Sequence, residues 1–213
     1  DTGITYTLSD DGKLVISGTG SIADDAFAGN TKITSVVISE GVTGIGSGAF
    51  TGCTNLTSVT IPEGVTTIDG MTFGNCTSLT SVTIPGTVTS IEVQAFWNCS
   101  SLTSITIPAS VTSIGSGVFQ GCTSLTSVKL SEGLTRIGDQ TFGRCNALET
   151  IEIPASLTSI GNDAFKNCAK LRSIRCYANS STWQPRYICD SNTTVYYSYN
   201  PNHTHSYKSH VIK

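Results

Sequence analysis

Cys53, Cys76, Cys99, Cys122, Cys145 and Cys168 stand 23 residues apart without a slip, and no other feature constrains the fold as much. A fixed period of about 20 to 50 residues belongs to solenoids, in which each unit stacks on its neighbours because it cannot bury its apolar face alone. The interval runs through other columns too. The chain has 7 Phe residues, and Phe27, Phe50, Phe73, Phe96, Phe119, Phe142 and Phe165 all share one column. Leu56, Leu79, Leu102, Leu125, Leu148 and Leu171 form another. Such an array is one continuous unit, so chemistry has to be sought where the repeats differ.

Within the reference unit, residues 56–78, the apolar positions Leu56, Val59, Ile61, Val65, Ile68, Phe73 and Cys76 fit neither one helix nor one strand, so each rung turns corners. Thr57 to Ile61 alternates and is rich in β-branched residues. It reads as a strand with Val59 and Ile61 inward and Ser58 and Thr60 outward. Identical strands stacked in order make a parallel sheet. Pro62, Pro85, Pro108 and Pro154 end that strand, with Ser39 and Ser131 in the same slot elsewhere. Val65 to Ile68 is a second extended piece. Asp69 to Cys76 reads as a short helical turn, with Ser47, Asp139 and Asn162 as caps in sister rungs. Gly46, Gly115, Gly138 and Gly161 share a column with Asp69 and Glu92, so that position does not require a positive φ.

Composition narrows the function classes. Charged residues make up only 13% of the chain, while Ser and Thr supply roughly 28%, a polar, weakly charged surface suited to strands. The net charge of -3 argues against nucleic acid as a partner, because phosphate binding needs a basic stripe. The charge is unevenly placed. Residues 1–106 hold Lys13 and Lys32 against nine acidic side chains, and residues 107–213 hold ten basic against six acidic. No run of about 18 apolar residues is present, so no transmembrane segment is expected. The start at Asp1 without Met reads as a mature or trimmed chain, so the lack of a signal peptide within it sets no expectation about the native compartment.

The six periodic cysteines suit neither zinc, whose ligands pair two to four residues apart, nor disulfides, because side chains of one column point the same way. They read as buried thiols donating weakly to loop carbonyls. Cys176 and Cys189 differ: the first closes an inward strand column and the second lies in the nonrepeating tail. A disulfide pinning the terminal cap is expected between them. The tail carries Trp183 and six of the 7 Tyr residues, as a cap over the last rung requires, and it also offers an aromatic platform for sugar. His203, His205 and His210 lack a Cys or carboxylate at useful spacing and read as a solvated tail.

Outward strand positions vary little until the last rungs. One column runs Ser35, Ser58, Ser81, Ser104, Ser127, Thr150, Ser173, and the next Val37, Thr60, Thr83, Thr106, Lys129, Glu152, Arg175. Lys129, Glu152 and Arg175, flanked by Glu149 and Arg172 and neighboured by Ser104, Thr106, Ser127, Thr150 and Ser173, make the candidate contact surface. The bland alternative is that these charges only solubilise a flat sheet. Trp97 is a lone aromatic read as edge packing. No Ser-His-Asp arrangement, paired acid, phosphate loop or metal cluster is visible, so neither enzymatic activity nor a cofactor is expected.

The run L-x-x-V-x-I-P, then V-x-x-I, then A-F-x-x-C resembles the leucine-rich repeats of the BspA type, found in secreted and surface proteins of bacteria and some parasitic protists. The resemblance implies a β-rich α/β solenoid with a parallel sheet on its concave face, short helical turns and an N-terminal β-hairpin cap. The expected division is a hairpin cap over residues 1–20, an array of about seven rungs over 21–176, and a C-terminal cap and tail over 177–213. The final HTHSYKSHVIK resembles the opening of a further module, which would make the chain a piece of something longer. For function the resemblance implies secreted or cell-surface adhesion, with an extracellular protein or glycan, such as host matrix or a host cell surface, as partner. A passive spacer presenting a downstream module is the alternative, and a self-assembling surface protein a third reading.

Overall fold

A computed structural model of the protein describes residues 3–178, 187–198 and 207–211, with Ser198 and the last segment described by backbone alone. The chain begins with β1 (Gly3–Leu8) and β2 (Lys13–Ile22). Each following rung then lays down one strand on the concave side and a second, of equal or shorter length, on the next side. These are β3 (Ser35–Ile38) with β4 (Val42–Ile45), β5 (Ser58–Thr60) with β6 (Thr67–Ile68), and β7 (Ser81–Val82) with β8 (Ser90–Ile91). The array continues with β9 (Ser104–Ile107) and β10 (Ser113–Ile114), β11 (Ser127–Leu130) and β12 (Arg136–Ile137), and β13 (Thr150–Ile153) and β14 (Ser159–Ile160). It ends in β15 (Ser173–Cys176), β16 (Thr194–Ser198) and β17 (Tyr207–Val211).

Register follows the repeat. Ser35 lies opposite Ser58, Ser58 opposite Ser81, Ser104 opposite Ser127 and Thr150 opposite Ser173, all in parallel. Strands β6, β8, β10, β12 and β14 stack the same way into a second parallel sheet. Regular concave pairing lapses between β7 and β9 and between β11 and β13. At the first of these lapses Thr103 N still donates to Thr80 O at 3.3 Å.

The core repeats as the columns require. Phe50, Phe73, Phe96, Phe119, Phe142 and Phe165 are wholly buried. Successive rings from Phe27 to Phe165 stack nearly parallel, with centroids 5.3 to 5.6 Å apart, within the range in which aromatic pairs attract beyond their area burial. Each periodic cysteine donates its thiol to the carbonyl of the Phe one rung back from its own. Cys53 Sγ reaches Phe27 O at 3.2 Å, Cys99 Sγ reaches Phe73 O at 3.1 Å, and Cys168 Sγ reaches Phe142 O at 3.0 Å. The column is therefore a packing ladder with a hydrogen bond in every rung.

The segment expected to be a helical turn is not helical. Its amides alternate between two destinations: Ala49, Thr51 and Cys53 N donate within the rung to Gly46, Gly48 and Phe50 O, whereas Gly48, Phe50 and Gly52 N donate to Gly70, Thr72 and Gly74 O of the next rung. An α-helix would consume those amides internally. Giving every second one to a neighbouring rung needs left-handed residues at two positions per rung. One column is Asp25, Gly48, Met71, Gln94, Gly117, Gln140 and Asp163, and the other Gly29, Gly52, Asn75, Asn98, Gly121, Arg144 and Asn167, all with positive φ. With no helix to cap, the polar side chains bridge rungs instead. Asp24 Oδ1 accepts from Ser47 N at 2.8 Å, Ser47 Oγ donates to Gly70 O at 2.8 Å, and Asp139 Oδ1 accepts from Asn162 N at 2.8 Å. The column of Gly46 carries no positive φ, in line with its Asp and Glu members.

Threonine is abundant because its hydroxyl also links rungs. Thr57, Thr80 and Thr126 Oγ1 donate to Thr34, Thr57 and Thr103 O at 2.9, 3.3 and 3.1 Å. On the second side Thr89, Thr112, Thr135 and Thr158 Oγ1 do the same to Thr66, Thr89, Thr112 and Thr135 O at 3.3, 3.4, 2.9 and 2.9 Å.

At the N-terminal end there is no separate hairpin cap. β1 pairs antiparallel with β2, but β2 itself is built into the array as its first rung. Its Lys13–Ile16 stretch pairs in parallel with β3 and its Gly20–Ile22 stretch with β4. The ten residues of β2 reach both sides of the solenoid, which a detached hairpin could not do. At the other end Asp163 N and Phe165 N donate to Tyr187 O and Ile188 O at 2.5 and 2.6 Å. The last rung thus finds acceptors outside the repeats. Cys176 and Cys189 form no disulfide; both are buried thiols. Cys176 faces inward on β15 with Sγ toward Ala178 O at 3.5 Å, whereas Cys189 bridges beside Phe165 on the opposite ladder. Backbone pairing, not a covalent pin, closes the described part of this end.

Candidate binding surface

The strands carry the outward columns to the concave face as the alternation requires. Ser104, Thr106, Ser127, Lys129, Glu149, Thr150, Glu152, Arg172 and Arg175 are exposed and Ser173 is half-buried. Register fixes their neighbours: Lys129 sits beside Thr106, and Glu152 beside Arg175. Arg175 Nη1 and Glu152 Oε1 are 3.4 Å apart with both side chains about 60% exposed, a pair of the solvent-screened kind that adds little stability. Lys129 has no ion-pair partner among the described residues. Glu149 and Arg172 occupy the column of the first threonine ladder, at the rungs where that ladder stops; Arg172 N donates to Glu149 O at 2.9 Å. Replacing ladder threonines by these two residues leaves the backbone link intact and sends charge into solvent.

Two residues of this surface escape the repeat columns. β16 adds to β15 in parallel, placing Thr194 beside Ser173 and Tyr196 beside Arg175. Tyr196 therefore continues the row Lys129, Glu152, Arg175 with a half-buried phenol. The alternation in Thr194–Ser198 was the available signal, with Val195 wholly buried between the two outward residues. Tyr197, on the inward side, has its hydroxyl pKa pushed up to about 12 by burial, with Cys176 and Cys189 nearby as lesser causes. Burial likewise lifts the Cys122 and Cys168 thiols to about 12, so none of this column is poised as a nucleophile at neutral pH.

An open depression of about 280 Å³ lies between the second-side strands, lined by Ser116, Arg136, Asp139, Ser159 and flanking backbone. Among the described residues no group of three or more His, Cys, Asp or Glu could hold a metal ion. Trp97 is half-buried. The side chains of Trp183, His203, His205 and His210 lie outside the described residues.

The repeat profile of the family called BspA type leucine rich repeat region matches in six copies, over residues 20–145 and 89–206. The chain belongs to the BspA-type leucine-rich repeat family. Among solved structures, this BspA-type chain is similar to a leucine rich cell surface protein from Faecalibacterium prausnitzii, with 33% identity and a TM-score of 0.71, covering 84% of this chain and 54% of that one. The chain thus spans about half the length of that relative. It is also similar to the Treponema pallidum leucine rich repeat protein, with 28% identity and a TM-score of 0.68 over 79% of this chain and 88% of that one. A Bacteroides ovatus leucine-rich repeat protein shares the fold at 23% identity, with a TM-score of 0.54 over 91% of this chain and 76% of that one. A search of curated proteins finds no match. BspA-type repeats are generally non-catalytic interaction modules. No helix among the described residues is long and apolar enough to cross a membrane.

Proposed function

We propose that this BspA-type array is a non-enzymatic recognition or adhesion module of the cell surface or secreted fraction, binding an extracellular protein or glycan through its concave sheet and C-terminal rungs. The observation that carries the reading is the abrupt change along one concave row. Val37 is followed by Thr60, Thr83 and Thr106, and then Lys129, Glu152, Arg175 and Tyr196 stand in successive strands. A solubilising surface would spread its charge; here it is gathered at one end and joined by an aromatic, a residue type enriched in binding hot spots. The Faecalibacterium relative is itself a cell surface protein, which supports the location. The C-terminal division at residue 176 remains part of this proposal, with 177–213 supplying Tyr196 to the surface.

The test is solid-phase adhesion to host matrix proteins and host cells. The triple variant Lys129→Ala, Glu152→Ala, Arg175→Ala is compared with a control in which Ser58 and Thr60 are replaced by Ala. Loss of at least about tenfold in binding for the first variant alone is expected. Equal binding by wild type and triple variant would remove the surface, and absence of adhesion by wild type would favour the passive spacer.

A further inference from the structure

The N-terminal strand β1 lies at the edge of its sheet among the described residues. Its six residues, GITYTL, include no Lys, Pro, Asp or Glu, the devices by which exposed edges are normally guarded, and among the described residues no strand pairs with its outer side. Its hydrogen-bond phase follows from the turn: Ser9 N donates to Lys13 O at 3.0 Å, so the Ser9 and Lys13 positions form a bonded pair. The alternation of an antiparallel ladder then makes Thr7 with Val15, Thr5 with Ser17, and Gly3 with Thr19 the bonded pairs. Ile4, Tyr6 and Leu8 accordingly turn their N–H and C=O groups away from β2, toward solvent.

The same three residues carry the apolar side chains. Ile4 packs partly against the core, and the Tyr6 ring meets Phe27 edge-on at 5.0 Å while remaining 62% exposed. Leu8 is 36% exposed. Free backbone groups and inward apolar side chains are therefore in phase. That coincidence matters for what can dock. In an antiparallel pairing of β1 with a second β1, only residues that both turn outward can form bonded pairs. One register satisfies all of them: Ile4 opposite Leu8, Tyr6 opposite Tyr6, and Leu8 opposite Ile4. It places every apolar side chain on the core side of both copies and puts Tyr6 on the two-fold axis.

We propose that this edge is a self-recognition site, through which two copies of the chain join head to head in that register. The two-fold axis runs perpendicular to the sheet, so the concave faces of both copies turn the same way and the sheets become continuous. Such a dimer would present two C-terminal binding surfaces at opposite ends, which raises avidity for a partner displayed repeatedly. Charge opposes the contact, because Asp10, Asp11, Asp24 and Asp25 outnumber Lys13 and Lys32 in this end of the chain. Screening by salt therefore strengthens association, the opposite of an interface held by ion pairs.

The experiment combines sedimentation with site-directed cross-linking. Tyr6→Cys places two thiols opposite each other at about 5.5 Å between Cα atoms, within disulfide reach, while all eight native thiols are buried. Mild oxidation should link Tyr6→Cys into a dimer and leave Thr7→Cys, on the other face, as monomer. Tyr6→Pro removes an N–H that makes no bond to β2, so the strand survives while the association constant falls at least about tenfold. Leu8→Lys, which restores an edge guard, should act likewise with an unchanged thermal melt. Wild-type dimer that strengthens between low and high salt completes the expected pattern. A wild type that stays monomeric into the millimolar range overturns the proposal, as does equal cross-linking of the two cysteine variants.

Discussion

At the scale of single residues the repeat turns small effects into six-fold ones. A thiol in this column accepts burial because it needs only one partner, the Phe carbonyl, and finds it in every rung. The pH consequence follows from the direction of the shifts. The ordinary Cys value is 9.0 and burial raises Cys122 and Cys168 to about 12, so the unfolded chain loses these protons first. These two thiols leave stability unchanged below about pH 9 and lower it progressively from there toward pH 12, because above pH 9 the native state binds more protons than the unfolded one. Equilibrium urea unfolding at pH 7, 9 and 10.5 should show this loss, and Cys122→Ala should make it shallower. The core aromatics are the other residue-level test. Phe119, stacked on both sides and wholly buried, should cost about 3 to 5 kcal/mol when changed to Ala, read as a lower denaturation midpoint.

At the scale of elements, the turn region decides how rungs attach to each other. The column of Gly52 holds Gly, Asn and Arg, all left-handed, a set explained by the tolerance of Asn for that region and by the cost of about 1 to 2 kcal/mol for other residues. Gly52→Asn should therefore be nearly neutral and Gly52→Val clearly destabilising, with a fall of several degrees in the thermal midpoint. Arg144→Gly, which relieves the same strain, should raise that midpoint. The helical turn expected from sequence was wrong for an identifiable reason. Asp69–Cys76 has the apolar spacing of one helical face, and spacing alone says nothing about where an amide donates. The strand at Thr194–Ser198 was missed for a related reason: it lies outside the repeats, and its partner β15 is what makes it a strand.

At the scale of the molecule, stability in such an array is a sum of rungs and the contacts between neighbours. Deleting residues 79–101, one whole period, should give a folded, somewhat less stable protein, because every column closes up in register. Deleting residues 79–98 should abolish cooperative unfolding by circular dichroism, because Phe, Cys and Leu columns no longer coincide. The candidate surface is likewise a whole-molecule property. Lys129, Glu152 and Arg175 stand out in the sequence because Thr60, Thr83 and Thr106 hold the same column unchanged before them. Tyr196 does not, because no period leads to it, and only its pairing beside Arg175 brings it there.

Sequence by itself determined the period, the inward columns and the outward faces of the strands, since those follow from which side chains must leave water and recur at a constant interval. Tertiary structure alone decided the rest. Whether an amide bonds within its rung or to the next, whether β2 is a cap or the first rung, and which backbone edge stays open at β1 all depend on the partner that lies alongside. A backbone group has the same chemistry at every position, and its partner is assigned only when the rungs stack.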